Sequence, residues 1–364
     1  MKKEEREKAR RRESGRVPSQ VDAGSRFFTF SPAPLGVSVI VCTYNGKDRI
    51  LYTIEHLQNQ NIGNVLRWEV IVVDNASTDD TGDFVTAAWM NKNITDFKVI
   101  RENKPGVMHA RIKGIMEAKY EYACFIDDDN LPDKNWVADV LQTFNTHPEI
   151  AGCGGKTIPV FESTSPDWFP IASHTYACGD QLEGGSGYIE TLWGAGLCVR
   201  KSAWNYLLEC GFKNHLTDRT GSNLLAGGDS EICLGLRMAG FKLWYNNDLK
   251  LQHFIPNGKL DFNKMLKMVE GFGKAEVVLR IYRSMLDHSV EIYPGWLSEY
   301  VATVWYYLKL LIKYKIIRTK HSLLDTQYYF FVKGYLNYLF HLKTDYRLIQ
   351  KEIHALYKNL KIGL

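Results

Sequence analysis

Residues 37–47 read VSVIVCTYNGK, residues 69–80 read EVIVVDNASTDD, and residues 122–132 read YACFIDDDNLP. Each is a short apolar run, rich in β-branched residues, that ends abruptly in polar ones. That is the pattern of a strand buried on both faces whose carboxyl end opens into a loop. Helical patterns lie between them, at Lys47–Gln60, Thr78–Met90 and Val107–Ala118, with a further short apolar run at Phe97–Arg101. Strand and helix alternating in this way predict an α/β fold, a Rossmann-like and mostly parallel sheet with helices on both faces. In such sheets the loops at the strands' carboxyl ends form the ligand crevice, so chemistry is expected just after Cys42, Val73 and Ile126.

Working outward, the pattern loosens after residue 150 into glycine-rich stretches: GCGGKT at 152–157, EGGSGY at 183–188, WGAG at 193–196 and AGGD at 226–229. These predict mostly turns and loops, followed by a helix over Asp229–Ala239. From about Leu260 the chain reads as helical. Leu297, Val301, Val304, Leu308, Leu311 and Ile312 recur at three- and four-residue intervals with Lys309 and Lys313 beside them. Packing of this helix on the domain is the expectation, and an interfacial helix on a membrane is the alternative. The chain thus divides into a polar basic tail (1–34), the α/β domain (35–260) and a helical C-terminal region (261–364).

Composition narrows the class. With 364 residues, 45% hydrophobic and 24% charged, the chain can bury a full core without staples. Its seven cysteines are odd in number, scattered and without a C-x-x-C pair, which excludes a disulfide scaffold and suits a reducing, cytoplasmic setting. The beginning MKKEEREKARRRESGR lacks a secretory h-region, and no run is long and apolar enough to read as a membrane span. Charge is uneven. Residues 1–26 carry nine Lys/Arg against five Asp/Glu and residues 258–364 carry seventeen against nine, which leaves nineteen against twenty-seven in the middle. An acidic centre argues against a nucleic-acid groove and suits a site that needs a cation to receive phosphate, while the basic ends can face an anionic surface.

The motifs sit where the crevice should be. In FIDDDNLP a strand delivers Asp127, Asp128 and Asp129 into a loop; adjacent carboxylates repel, and a divalent metal sharing diphosphate oxygens relieves that cost. Strand alternation points Asp127 and Asp129 the same way. An acidic helix-capping loop is the plainer alternative. Asp74, leaving the second run, can accept a base N–H or a ribose hydroxyl, and Tyr44, beside Thr43 and Asn45, can stack on a base. Ordinary turn chemistry explains both stretches equally well. Asp229 follows two glycines at a helix start, where a carboxylate can cap the helix or take a proton from an attacking hydroxyl. Glu231 can assist it or merely favour the helix dipole. His253 becomes a metal ligand only if it comes close to the Asp127–Asp129 loop. GCGGKT is no Walker motif, since Ile150 stands where the first glycine is required. The sequons Asn75-Ala76-Ser77 and Asn93-Ile94-Thr95 matter only in a secreted chain.

Taken in order and spacing, VSVIVCTYNGK, EVIVVDNASTD, ENKPGVMHARIKGI, YACFIDDDNLP, LWGAGLCVRKSAW and GGDSEICLGLRMAGFKLWY resemble the family 2 glycosyltransferases of GT-A fold. The resemblance covers about residues 35–260. It implies an inverting enzyme that uses a nucleotide-diphosphate sugar, uridine being the commonest base, and Mn²⁺ or Mg²⁺; with the processive synthases' Q-x-x-R-W element and transmembrane helices both missing from the sequence, a non-processive enzyme is expected. Carried onto this chain, it implies that Thr43, Tyr44, Asn45 and Asp74 line the nucleoside pocket. Arg111 would support the nucleotide end, Asp127 would lie by the ribose with Asp128 counted among the donor-binding residues, Asp129 would hold the metal, and Asp229 would be the base. The stretch from GGKTIPVFES to HFIPNGKL looks like a bacterial subgroup that builds exopolysaccharide or other surface glycans. There Trp193, Gly194 and Ala195, with Glu231, would border the acceptor, and His253 would approach the metal or diphosphate. Gly228, Lys113 and Lys259 depart from residues common in relatives. The resemblance further implies a glycan or lipid-linked acceptor, with peripheral contact at the inner membrane face and a homodimer both open. The rival readings are a binding module without turnover and a haloacid-dehalogenase-like phosphatase, whose usual Thr after D-x-D is missing here.

Overall fold

The computed structural model describes residues 33–63, 67–89, 96–217, 225–287, 294–313 and 322–362. Residues 1–32 of the basic tail and the sequon at 93–95 lie outside them. The first half follows the predicted alternation closely: β1 (Val37–Thr43), α1 (Ile50–Gln58), β2 (Trp68–Asn75), α2 (Thr81–Trp89), β3 (Asp96–Glu102), α3 (Val107–Glu117) and β4 (Tyr122–Asp127). β5 (Asn130–Pro132), α4 (Trp136–Thr146) and β6 (Ile150–Phe161) come next. A short α5 (Phe169–Ala172) runs into a 3₁₀ turn at Ser173–Tyr176, followed by β7 (Gly187–Tyr188), β8 (Cys198–Arg200), α6 (Lys201–Glu209), α7 (Gly228–Met238) and β9 (Lys242–Ile255). Among the described residues four helices follow: α8 (Phe262–Leu286), α9 (Trp296–Leu311), α10 (Leu323–His341) and α11 (Tyr346–Ile362).

One nine-stranded sheet runs in the order β3-β2-β1-β4-β8-β6-β9-β5, with β7 also on β9. β1 pairs in parallel with both β2 and β4, and the register sets Thr43 opposite Asp74 and Cys42 opposite Asp127. Three polar strand ends therefore share one edge. The period of two is visible in the packing: Val37, Val39 and Val41 join one core with Leu57 and Trp136, whereas Ile40 joins the other with Ile71 and Phe125.

The glycine-rich stretch at 152–157, expected as turns and loops, is the middle of β6. Its glycines serve close approach. A Cβ on Gly155 would lie 1.7 Å from the Leu249 carbonyl oxygen, and the β6–β9 register slips on either side of this segment.

The C-terminal helices share a core with the sheet. Val278, Ile281 and Tyr282 of α8, Tyr335 and Leu339 of α10, and Ile353 and Leu360 of α11 belong to the cluster that contains Ile40 and Phe125. α9 departs in part from the expectation of packing: of its periodic residues Val304 and Leu311 are partly buried, whereas Leu297, Val301, Leu308 and Ile312 are exposed. The helix is fixed instead through Trp296, whose Nε1 donates to the Leu339 carbonyl at 2.7 Å, and through buried Glu299. Periodicity reveals that a helix has an apolar stripe and is silent on which way the stripe faces. Among the described residues no helix is long and apolar enough to cross a membrane.

α8 and α10 cross at two reciprocal glycines. A Cβ on Gly334 would lie 2.0 Å from the Glu270 carbonyl oxygen, and one on Gly273 would lie 1.9 Å from that of Phe331. Gly334→Ala is expected to lower stability by about 1–3 kcal/mol despite alanine's better helix propensity, because backbone must move. Urea denaturation of the variant checks this; an unchanged midpoint would show that the crossing yields freely.

Candidate active site

The loop after β1 is stitched to the loop after β2. Asn45, with a left-handed φ of 47°, accepts from the Thr78 N–H through Oδ1 at 2.8 Å and donates its own N–H to Ser77 Oγ at 2.9 Å. Gly46 N–H donates to Thr81 Oγ1 at 3.0 Å. Position 46 has no room for a side chain, since a Cβ would meet Thr43 Oγ1 and Asp128 Oδ2 inside 2.5 Å. Tyr44 stays about half exposed at the tip, with its ring available. Asp74 is buried and held: Oδ1 accepts from Ser77 N–H at 3.0 Å, and Oδ2 accepts from Arg101 Nη1 at 2.9 Å. A base N–H would have to share an oxygen with one of these donors. Asn75 also has a role, because its Oδ1 accepts from Gly106 N–H at 2.7 Å and so ties the β2 end to the turn that starts α3.

The three acidic residues diverge. Asn130 Oδ1 accepts from the Asp127 N–H at 2.9 Å and holds the turn. Asp127 is 40% exposed and faces the Arg111 guanidinium at 3.9 Å. Asp128, counted from the sequence as a donor-binding residue, turns into the β1 loop: it accepts from Thr43 Oγ1 at 2.6 Å and from Arg49 at 2.7 and 2.9 Å. Burial and the neighbouring Asp129 push its carboxyl above the ordinary value even with Arg49 beside it. Asp128 therefore shapes the loop after β1 from beneath, with its oxygens already taken. Arg49 was missed by motif reading. Its other bonds, to the carbonyls of Tyr44 and Asn45 at 3.0 and 2.9 Å, complete a clamp on that loop.

Asp129 is buried at the end of a different cluster. Lys259 Nζ lies 2.5 Å from Oδ2, and His253 Nε2 lies 3.5 Å from Oδ1. β5 and β9 bring His253 here, since Asn130 is paired with His253 in register. Burial alone would raise the Asp129 carboxyl, but His253 and Lys259 outweigh it and hold the group far below the carboxylate range. Burial would lower His253, yet Asp129 raises it to about 10. His253 Nδ1 is 3.0 Å from the Tyr176 carbonyl, which can only accept, so Nδ1 carries a proton. In the neutral imidazole the Nε2 lone pair then points at the Asp129 oxygen, an arrangement that requires a proton or a cation between them. This pair fits the divalent cation expected at Asp129 and His253, and the mixed carboxylate and imidazole set suits Mn²⁺ better than Mg²⁺. Among the described residues no third His, Cys, Asp or Glu joins them, so diphosphate oxygens and water would complete the shell. Tyr176 anchors both partners, because its hydroxyl donates to the Lys259 carbonyl at 2.9 Å.

Asp229 sits in the first turn of α7. Gly227, at φ 100°, makes the turn that a side chain would strain. Asp229 Oδ2 accepts from Gly194 N–H at 2.6 Å and Oδ1 from Ser230 N–H at 2.8 Å. Gly194 is also pressed against Arg111, where a Cβ would collide with the guanidinium. Asp127, Arg111, Gly194 and Asp229 thus form one continuous chain of contacts. Trp193 is half-buried, its N–H on Gln181 Oε1 at 2.9 Å and its ring edge-on to His174; Ala195 is buried beneath. Glu231, expected near the acceptor, points the other way. It is fully buried and accepts from the N–H groups of His215 and Leu216 and from the Tyr282 hydroxyl at 2.9–3.1 Å. One residue pair further along a helix turns the side chain by about 200°, which takes Glu231 off the face that Asp229 presents. Its effect on the site is to fix α7 against α8.

Arg49→Ala would leave the Asp128 carboxylate buried without its main counter-charge. Since Arg49 is 35% exposed, the expected loss is about 2 kcal/mol, less than the ~3–5 kcal/mol of a fully buried pair. Arg49→Lys should recover only part, because an ammonium cannot replace the two-pronged contact. Urea melts of the two variants check the ranking.

Comparisons with known proteins bear on the fold. Residues 38–183 match the model of the family described as glycosyl transferase family 2. A "Glucosyl-dolichyl phosphate glucuronosyltransferase" of Haloferax volcanii is 22% identical over 236 residues, which are 62% of this chain and 72% of that protein. "Glycosyltransferase GlyG" of Streptococcus pneumoniae is 34% identical over 107 residues, 29% of this chain and only 34% of its own length. Among solved structures, S. aureus TarS 1-349 in complex with UDP-GlcNAc superimposes with a TM-score of 0.50 at 14% identity, covering 90% of this chain and 91% of that one, which shows the shared GT-A fold. Residues 38–183 of the chain are thus similar to glycosyl transferase family 2, within a GT-A fold.

Proposed function

We propose that this enzyme moves a sugar from a nucleoside diphosphate donor, first of all a uridine diphosphate sugar, to a hydroxyl of a glycan or lipid-linked acceptor, with inversion and one sugar per encounter. The observation that supports it is the line of contacts Asp127–Arg111–Gly194–Asp229, which starts two residues along the chain from Asp129 and its partner His253. Support for the donor comes from the UDP-GlcNAc named in the TarS structure, and support for a lipid-linked acceptor from the dolichyl phosphate named for the Haloferax protein. An enzyme with such an acceptor would work at the cytoplasmic face of a membrane.

In this reading Asp229 does the proton work. Each of its oxygens accepts one backbone N–H, which fixes the carboxylate and leaves a lone pair on each oxygen. The acceptor oxygen bonds to the anomeric carbon on the face opposite the diphosphate, its proton passes to Asp229, and the bond to the diphosphate oxygen breaks. A single displacement of this kind inverts the centre. Asp129 and His253 would hold the divalent cation, which supplies charge to the departing diphosphate when bound. Lys259 offers a further cation on the same side, and buried Arg111 balances Asp127 beneath the sugar.

Three outcomes are expected. In a thermal-shift panel of UDP, GDP, dTDP and CMP with and without Mn²⁺, one nucleotide should stabilise the protein in a cation-dependent way, and Asp129→Ala should abolish the effect. Asp229→Asn should keep that shift while product formation falls about 10²–10⁴-fold; equal loss of both would move Asp229 into donor binding. Lys259→Met should bind Mn²⁺ more tightly without nucleotide, since the ammonium no longer competes for Asp129, but bind the nucleoside diphosphate more weakly. Calorimetric titration separates the two effects.

A further inference from the structure

α9 presents an unpartnered apolar stripe. Leu297 is 65% exposed, Val301 58%, Trp305 63%, Leu308 44% and Ile312 46%. These residues recur at intervals of three and four, so they form one line about 22 Å long. Leu324 and Tyr328 of α10 widen it, being 63% and 48% exposed. The opposite side of the helix is tied to the domain, through the Trp296 bond to Leu339, the stacked Tyr307 and Tyr329 rings with hydroxyls 2.8 Å apart, and buried Glu299 against Arg280 and Tyr335. The stripe is therefore held outward by the fold and cannot be relieved by rotating the helix.

The charges on this helix are of one sign where they are exposed. Its only acid, Glu299, is buried and paired, whereas Lys309 and Lys313 stand at the exposed carboxyl end. Lys309 lies over the Trp305 ring at 5.7 Å, and Lys313 reaches Asp325, the acid that caps α10, at 3.3 Å. Residues 258–364 together carry seventeen Lys/Arg against nine Asp/Glu. An apolar line carrying a tryptophan, with lysines along one end, is complementary to a bilayer surface whose acyl boundary takes the side chains and whose anionic headgroups take the ammonium groups. A second copy of this face docked in parallel would instead bring like charges together. We propose that α9 docks this enzyme on an anionic lipid surface, with Leu297, Val301 and Trp305 inserted and Lys309 and Lys313 at headgroup level.

The proposal is independent of the donor reading, and its test keeps the two apart. The full chain is sedimented with vesicles of phosphatidylcholine alone and with one third phosphatidylglycerol, and its size is followed in solution. The wild type should partition at least tenfold more onto the anionic vesicles. The triple variant Leu297→Ser, Val301→Ser, Trp305→Ser should lose at least tenfold in partition while keeping its melting temperature and its nucleotide-dependent thermal shift. Lys309→Glu with Lys313→Glu, which alters only exposed groups, should lose the preference for anionic vesicles. Three results would overturn the idea: no binding to anionic vesicles, binding that survives the triple variant, or a wild-type dimer that the triple variant dissociates, which would assign the stripe to a second copy. Loss of the nucleotide shift with lipid binding intact would count against the donor reading alone.

Discussion

Three carboxylates in consecutive positions cannot all be ionised in one buried turn unless each has its own counter-charge. The chain meets this constraint by sending them apart: Asp127 to Arg111, Asp128 to Arg49, Asp129 to Lys259 and His253. The counter-charges come from α3, from the entry to α1, from the end of β9 and from the turn that follows it. Neutralising one turn therefore gathers segments more than a hundred residues apart. The crevice is what those segments enclose.

This division of partners also divides roles. Asp128 is spent on architecture, because its two oxygens hold Thr43 and Arg49 and so set the shape of the loop that carries Tyr44 and Asn45. Asp129 keeps an exchangeable partner. Lys259 is bonded to it by one flexible side chain that is 41% exposed, and such an ion pair can be traded for another cation at little cost. His253 is the rigid member, its tautomer set by the Tyr176 carbonyl. On the other wall, Gly194 allows Arg111 and Asp229 to approach the same backbone unit, and a side chain there would part them.

The helical region does more than close the sheet. Glu231, two residues beyond Asp229, is tied to His215 and to Tyr282 of α8, and His215 reaches Glu352 of α11 at 3.1 Å. The start of α7 is thereby fixed by α8, which also helps to hold α9 through Arg280. Burial lowers His215, but Glu231 and Glu352 outweigh it and raise it above its ordinary value, so the tie is strongest when that imidazole is charged. An outward-facing α9 and a braced α7 are consequences of one packed unit.

Much of this was legible in the chain. From residue 35 to 127 the apolar period set the strands and helices to within a few residues, because buried parallel strands admit few polar residues. The polar ends of those strands marked Thr43, Asp74, Asp127 and Asp129, and the glycines before a helix start marked Asp229, as candidates for chemistry. The region after 150 was less legible, since glycine carries no hydrophobic signal and its use in β6, to let Leu249 come close, is a property of the neighbour. Local sequence determined which groups stand at the crevice and which helices have an apolar face. Only the tertiary structure decided that Arg49 and Lys259 would be the counter-charges, that Glu231 would turn inward, and that the α9 stripe would face out. Each of these depends on contacts between residues distant along the chain or on the direction of a face, and neither is recorded in local spacing.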